Sequence, residues 1–141
     1  MEIITKLREA ASRVFVNEPV AFAYLFGSQV GAAADRESDV DVAVMIEDSV
    51  PPSGYLELSL RIARDLEMAA EVRHLVEIVI LNEAPLPLAG RVVREGKALY
   101  SKDEPARVRY ESLTFREFTD FDRGARLLDE ELIRAHADRH L

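Results

Sequence analysis

The sequence contains no cysteine and no tryptophan, and only three of its 141 residues are histidine. The absence of cysteine excludes disulfide bonds and zinc sites built on thiolates. The three histidines, His74, His136 and His140, are scattered in a way that does not suggest a zinc site, and the pattern favours surface or strand-end positions for them. A metal site in this chain is therefore not expected to be a zinc site of cysteine or histidine ligands.

The chain also lacks an apolar run of about 20 residues, the length needed to cross a bilayer. This absence predicts a cytoplasmic protein without a membrane span. Lysine and arginine (18) are outnumbered by aspartate and glutamate (26), which gives a net charge of -8. Proteins that bind nucleic acid or anionic lipid neutralise phosphates with basic residues, so we expect no direct nucleic-acid binding.

Helical and strand patterns alternate along the chain, and 48% of the residues are hydrophobic. This composition predicts one α/β domain with a small mixed sheet flanked by helices. We predict a core over 1–104 and a helical extension over 105–141, which belongs to the same domain or docks on a partner. The predicted elements are helix 2–16, strand 20–26, strand 39–46, a helix after Ser53, strand 74–81, helix 85–95, edge strand 97–101 and a long helix from Pro105.

Two acids interrupt the second strand. Asp39 and Asp41 are two residues apart, so their side chains point to the same face, about 7 Å apart at the backbone. Two close carboxylates repel each other, and a divalent cation between them removes that cost. The alternative is that the pair only solubilises an exposed strand end.

A third acid, Glu77, interrupts the third predicted strand and has apolar neighbours on both sides in sequence. A buried carboxylate without a partner costs several kcal/mol. Glu77 is therefore expected to be protonated, paired, or bound to the same cation as the aspartates. Salt bridges to Arg73 or Arg91 are the alternative.

Gly27 and Ser28 stand where the first strand ends. Glycine lets the backbone approach a phosphate closely, and a serine hydroxyl with the amides of the following turn can bind the anion. The alternative is an ordinary turn, since Gly-Ser dipeptides are common there.

The order strand, Gly-Ser, ten residues, Asp-x-Asp, and a later strand with a third acid resembles the nucleotidyltransferase superfamily of the DNA polymerase β type. The short length is similar to the minimal nucleotidyltransferases (MNT), which are antitoxins found beside helical HEPN toxins. The resemblance runs from about Val20 to Ser101.

The resemblance implies roles for the matching residues. Gly27 and Ser28 would hold the outer phosphates of ATP, and Asp39 and Asp41 would bind two Mg²⁺ ions. Glu77 would be the third carboxylate, although the family often has aspartate there. The implied function is transfer of AMP from ATP to a hydroxyl, for example of tyrosine, on a HEPN toxin, within a hetero-oligomer.

Two other functions remain open. The domain could be a non-catalytic antitoxin that acts by occupying its partner, or a nucleotidyltransferase for small molecules, which usually needs a further acceptor-binding domain. The long helix carries apolar residues at three- and four-residue steps, and we expect most of this stripe to pack on the sheet. The alternative is that its aromatic part, at Phe115, Phe118 and Phe121, grips another protein.

Overall fold

The computed structural model describes residues 2–27, 39–72 and 75–140, which form a four-stranded sheet with helices on both faces. The predicted α/β class is confirmed. Short 3₁₀ turns at Phe15–Asn17, Pro52–Gly54 and Leu81–Glu83 join some of the elements. In chain order the helices and strands are α1 (Ile3–Val14), β1 (Val20–Phe26), β2 (Val40–Ile46), α2 (Tyr55–Ala70), β3 (Val76–Ile80), α3 (Leu86–Glu95), β4 (Lys97–Ser101) and α4 (Glu104–His140).

The sheet is mixed, and its strand order is β3-β2-β1-β4. β1 runs antiparallel to both β2 and β4, whereas β2 and β3 are parallel. Parallel neighbours need a crossover connection, and α2 provides it. The acidic strand β2 is therefore an interior strand, while β3 and β4 form the edges.

One face of the sheet packs against α1 and α2. Alternate residues of β2 point to this face and are completely or almost completely buried, because valine and isoleucine suit a pleated surface covered by helices. The layer is completed by apolar residues of both helices, including Leu7, Ile62 and Leu66. The β2 residues of this layer are Val40, Val42, Val44 and Ile46.

The opposite face is aromatic and is covered by α3 and the start of α4. Phe22, Tyr24 and Phe26 of β1 form its centre. The buried Tyr24 hydroxyl donates a hydrogen bond of 2.7 Å to Oε1 of Glu111. Arg107 donates to the same oxygen at 2.6 Å, so a satisfied polar network fixes α4 across the sheet.

The stripe of α4 does not pack on the sheet for most of its length, contrary to the expectation from sequence. Phe121, Leu128 and Leu132 are 52%, 59% and 62% exposed. The reason is size, since 37 helical residues span about 55 Å, whereas four strands span roughly 20 Å. Within the described helices, no stretch is both long and apolar enough to span a membrane.

The third strand is shorter than predicted. It covers Val76–Ile80, Leu81 belongs to a 3₁₀ turn, and Arg73 and His74 lie outside the described residues. The division of the chain into 1–104 and 105–141 stays a prediction. α4 begins at Glu104, and its first turns pack in the aromatic layer of the core.

Candidate active site

The three predicted acids lie on the aromatic face, at the end of the sheet where β1 finishes. Asp39 directly precedes β2, and Asp41 is the second residue of that strand. The parallel register of β2 and β3 pairs Asp41 with Glu77, and paired residues of neighbouring strands point to the same side of a sheet. The two residues are neighbours on the sheet, and Glu77 contributes to the raised pKa of the Asp41 carboxyl. Two distant segments thus bring Glu77 beside Asp41, and Asp39 is near enough for its charge to act on Asp41.

Glu77 is exposed rather than buried, so the expectation of an apolar environment was wrong. β3 is an edge strand, and its site-facing side is open to solvent at this residue. Arg73, one of the two possible partners, lies outside the described residues. The other, Arg91, forms its ion pair with Glu95, at 3.9 Å, among the residues described.

The pKa of the Asp41 carboxyl is raised above its usual value. Burial of the carboxyl is the largest cause, followed by the charge of Glu77, the hydrogen bond to Glu77 and the charge of Asp39, while Arg91 opposes the shift. Burial and neighbouring negative charge both disfavour the ionised carboxylate. The site therefore carries more negative charge than its own cations balance, which is the electrostatic setting that favours an added cation.

Carboxylate oxygens are the ligands that Mg²⁺ prefers, so the donor set fits this ion. In the described segments, however, no three or more His, Asp or Glu side chains are arranged to hold a metal ion as they stand. Asp41 instead lies beside Glu77, whose charge helps to raise the pKa of Asp41.

Gly27 places the end of β1 directly against Asp41. Its φ of +82° lies in the region that residues with a Cβ rarely adopt. A Cβ at this position would also collide with Oδ2 of Asp41 and lie 3.2 Å from its Cγ. Glycine is thus required twice here, for the backbone conformation and for the space that the carboxylate occupies.

Ser28, the other predicted phosphate-binding residue, lies outside the described residues, as does the rest of the segment from 29 to 38. Its predicted role follows only from its position after Gly27. Because Gly27 lies against Asp41, β1 ends beside this acid.

Arg91 is a candidate site residue that the sequence alone did not select, except as a possible ion-pair partner. It lies on α3, is exposed, and its charge acts on Asp41. Arg94, one turn away, is instead placed over the ring of Phe118, with 5.3 Å between Cζ and the ring centre. Nothing in the sequence distinguishes the two arginines, since only the packing of α3 on the sheet decides which one faces the acids.

Removing the charge of Asp41 is expected to stabilise the fold. Because its folded pKa is raised, the folded state keeps a proton that the unfolded chain releases, so wild-type stability falls as pH rises above about 4. In EDTA, Asp41→Asn should raise Tm by about 2 °C at pH 7.5, and the gain should vanish near pH 4. Thermal unfolding across this pH range measures it.

The matched control is Asp48→Asn, which removes an exposed aspartate beyond the far end of β2. It should leave Tm unchanged at every pH. A Tm for Asp41→Asn that equals the wild-type value at pH 7.5 would contradict the electrostatic description of the site.

Comparison with known proteins agrees with this geometry. Residues 9–105 match the family described as Polymerase beta, Nucleotidyltransferase. The chain belongs to this nucleotidyltransferase family. The match spans the sheet from β1 to β4 and includes Gly27 and all three acids.

A curated relative is the protein adenylyltransferase MntA of Shewanella oneidensis, which is 32% identical over 81 residues. The alignment covers 57% of this chain and 54% of the relative, so this nucleotidyltransferase spans only about half the length of that protein.

Solved structures show the same fold. One is a complex of a tri-AMPylated HEPN toxin of Shewanella oneidensis with its MNT antitoxin, which matches with a TM-score of 0.64 and 18% identity over 92% of this chain and 98% of the other. Another is a toxin–antitoxin structure with AMP-PNP, with a TM-score of 0.64 and 21% identity over 92% of this chain and 98% of the other. At these identities the likeness concerns the fold.

Proposed function

We propose that this nucleotidyltransferase is an antitoxin that transfers AMP from ATP to a hydroxyl, a tyrosine hydroxyl in the first instance, of a HEPN toxin and so neutralises it. The observation that carries the proposal is the pairing of Asp41 with Glu77 beside Asp39 and Gly27. The named relatives, an adenylyltransferase and toxin-bound antitoxins, support the choice of acceptor class.

In the proposed reaction the acceptor oxygen attacks the α-phosphorus of ATP. A new oxygen–phosphorus bond forms, and the bond to the bridging oxygen breaks, so that pyrophosphate leaves with that electron pair. Glu77 is exposed and is the group that accepts the proton of the acceptor hydroxyl. General bases of this kind contribute about 10²- to 10⁴-fold to a rate.

Asp39, Asp41 and Glu77 are the residues that would hold Mg²⁺. The ions would supply charge stabilisation to the entering and leaving oxygens. The chain itself supplies position, because Asp39 and Asp41 are held at the start of an interior strand. Gly27 lets the backbone at the end of β1 lie against Asp41, and Ser28 is proposed to contact the outer phosphates from the next position.

The direct test incubates the protein with ATP labelled at the α-phosphate, MgCl₂ and a purified HEPN toxin. Label should appear on the toxin only when both Mg²⁺ and the antitoxin are present, and peptide mass spectrometry should place it on a tyrosine. If the toxin stays unlabelled while the two proteins form a complex, the proposal of AMP transfer is wrong.

Arg91 is proposed to neutralise part of the triphosphate charge. Arg91→Ala should raise KM for ATP by about tenfold and lower kcat less, because a contact to bound ATP is mainly a binding contact. Arg91→Lys should restore part of the loss. Steady-state labelling at varied ATP concentrations measures both constants.

Arg94→Ala is the matched control for Arg91, because it removes an arginine from the same helix that faces Phe118 instead. It should leave KM for ATP unchanged. An equal rise of KM in both variants would show that α3 was disturbed and that Arg91 has no role of its own.

A non-catalytic antitoxin is the second candidate, and the exposed outer half of α4 is the observation that favours it. Such a protein would neutralise its partner by binding alone. If a variant with Asp39→Asn and Asp41→Asn neutralises the toxin as well as the wild type does, this second function is favoured.

A further inference from the structure

The outer half of α4 carries a regular apolar seam. Phe118, Phe121, Ala125, Leu128 and Leu132 follow one another at alternating steps of three and four residues. This spacing is the heptad pattern with which a helix packs along a second helix. A seam of this kind predicts a helical partner rather than an irregular loop.

The seam begins inside the molecule and continues beyond it. Thr114, one step before Phe118, is only 6% exposed, and Phe118 packs against Gly90 of α3 so closely that a Cβ on Gly90 would collide with its ring. The next seam residues, from Phe121 to Leu132, are more than half exposed where their exposure is given. A partner helix laid along them would therefore extend an interface that α3 has already started.

The charges of this helix are sorted around the seam. In the heptad pattern the charged residues at the positions flanking the seam are all acids, whereas the opposite side of the helix carries arginines together with Asp120 and Glu130. One ion pair, of 3.1 Å between Arg126 and Asp122, joins the two sides. The flanking acids are Glu117, Asp122, Asp129 and Glu131, and the arginines behind them are Arg116, Arg123, Arg126 and Arg134.

The acidic flanks decide between two occupants. A second copy of this helix, parallel or antiparallel, would bring acids against acids, because flanking positions face flanking positions in helix pairs. A helix with lysine or arginine beside its own apolar seam would form opposite-charge pairs along both sides. The charge pattern thus disfavours a homodimer and favours a basic partner helix.

The helix surface has a gap, or notch, where two small residues follow one another at the seam and its flank. Gly124 lies in the middle of α4, where glycine costs about 1 kcal/mol relative to alanine, and a Cβ there would meet nothing within 4 Å in the described chain. With Ala125 beside it, the helix is thin between the larger Phe121 and Leu128. A bulky apolar side chain of a partner would fill this gap.

From these observations we infer that residues 118–132 of α4 form a docking seam for an amphipathic helix with basic flanks on a partner protein. The inference rests on the proposed function only in naming the toxin as the natural partner. The docking chemistry itself requires neither ATP nor the three acids of the site.

The test uses the full chain and two synthetic three-heptad peptides that share leucine seams. One peptide has lysine at its flanking positions and the other has glutamate. The lysine peptide should bind at least about tenfold more tightly in fluorescence anisotropy, and added salt should weaken it. Equal binding of the two peptides, or binding of neither, would overturn the inference.

Neutral substitutions separate the seam from general attraction between a basic peptide and an acidic protein. Leu128→Asn with Leu132→Asn should reduce binding at least about tenfold. Leu127→Asn with Ile133→Asn removes two apolar residues from the side of the helix opposite the seam, 56% and 69% exposed, and should bind as the wild type does. An equal loss of peptide binding in both double variants, or no loss in either, would overturn the inference.

Two further measurements complete the design. Light scattering should find wild-type monomers, and dimers that the Leu128/Leu132 variant abolishes would identify a second copy as the occupant. A variant with Asp39→Asn and Asp41→Asn should bind the lysine peptide normally. Failed AMP transfer with intact peptide binding would therefore contradict the proposed function alone.

Discussion

Asp39→Asn combined with Asp41→Asn is expected to lower AMP transfer by at least about 10³-fold. Asp41 lies on the interior strand β2 beside Gly27, and Asp39 directly precedes that strand. Asparagine keeps the shape of each side chain but removes the charge that would hold Mg²⁺. Transfer of labelled AMP to the toxin, measured over a range of MgCl₂ concentrations, gives the result.

The double variant should nevertheless fold. Since burial and neighbouring acids raise the pKa of Asp41, neutralising it relieves repulsion, and Tm should be no lower than in the wild type. Asp48→Asn, which removes one exposed acid at a distance from the site, should transfer AMP at the wild-type rate. Wild-type AMP transfer by the double variant would contradict the proposed metal site.

Glu77→Gln belongs to the same series and tests a separate role. Its amide can still form a hydrogen bond with Asp41 but cannot accept a proton from the acceptor hydroxyl. We expect a loss of about 100-fold in kcat and a smaller change in KM for ATP. A variant whose kcat equals that of the wild type would leave Glu77 without a part in proton transfer.

Gly27→Ala is the second substitution with a large expected effect. At a φ of +82° an alanine costs about 1–2 kcal/mol, and its Cβ would collide with the carboxylate of Asp41. The carboxylate must move, and displacement of a reacting group by about 1 Å can cost roughly 10²-fold in rate. Gly27→Ala should therefore unfold at a lower urea concentration than the wild type and should transfer AMP more slowly.

Gly27→Asn separates the two causes. Asparagine tolerates positive φ better than alanine, but it also brings a Cβ. It should unfold closer to the wild-type urea concentration and still lose activity. Gly124→Ala is the control for urea unfolding alone, since that glycine is helical and a Cβ there meets nothing within 4 Å in the described residues. Wild-type activity in Gly27→Ala would show that a Cβ at this position does not displace the Asp41 carboxylate from its working position.

Much of the fold follows from local patterns. The apolar run from Val20 to Phe26 predicted β1 with the bounds that the structure has, and the alternation from Asp39 to Ile46 predicted β2 with one residue too many at its start. Local patterns suffice here because buried strands need apolar side chains with a period of one or two. The sheet order and the parallel pairing of β2 with β3 could not be predicted, since they depend on contacts between distant residues.

The candidate site divides in the same way. The spacing of Asp39 and Asp41 predicts that they share a face by strand geometry alone, and in the structure the charge of Asp39 acts on Asp41. Glu77 was expected to be buried because its neighbours in sequence are apolar, but exposure depends on what covers a strand. β3 lies at the edge, and Glu77 is open to solvent.

The sequence by itself determined where the strands lie, which acids belong to them and that a long helix ends the described chain, because these depend on side chains a few residues apart. Tertiary structure alone decided that Asp41 lies opposite Glu77, that Arg91 rather than Arg94 acts on the acids, and that α4 extends beyond the sheet. Those features depend on how separate elements pack, and packing is set by the shapes and areas of surfaces that no local pattern contains.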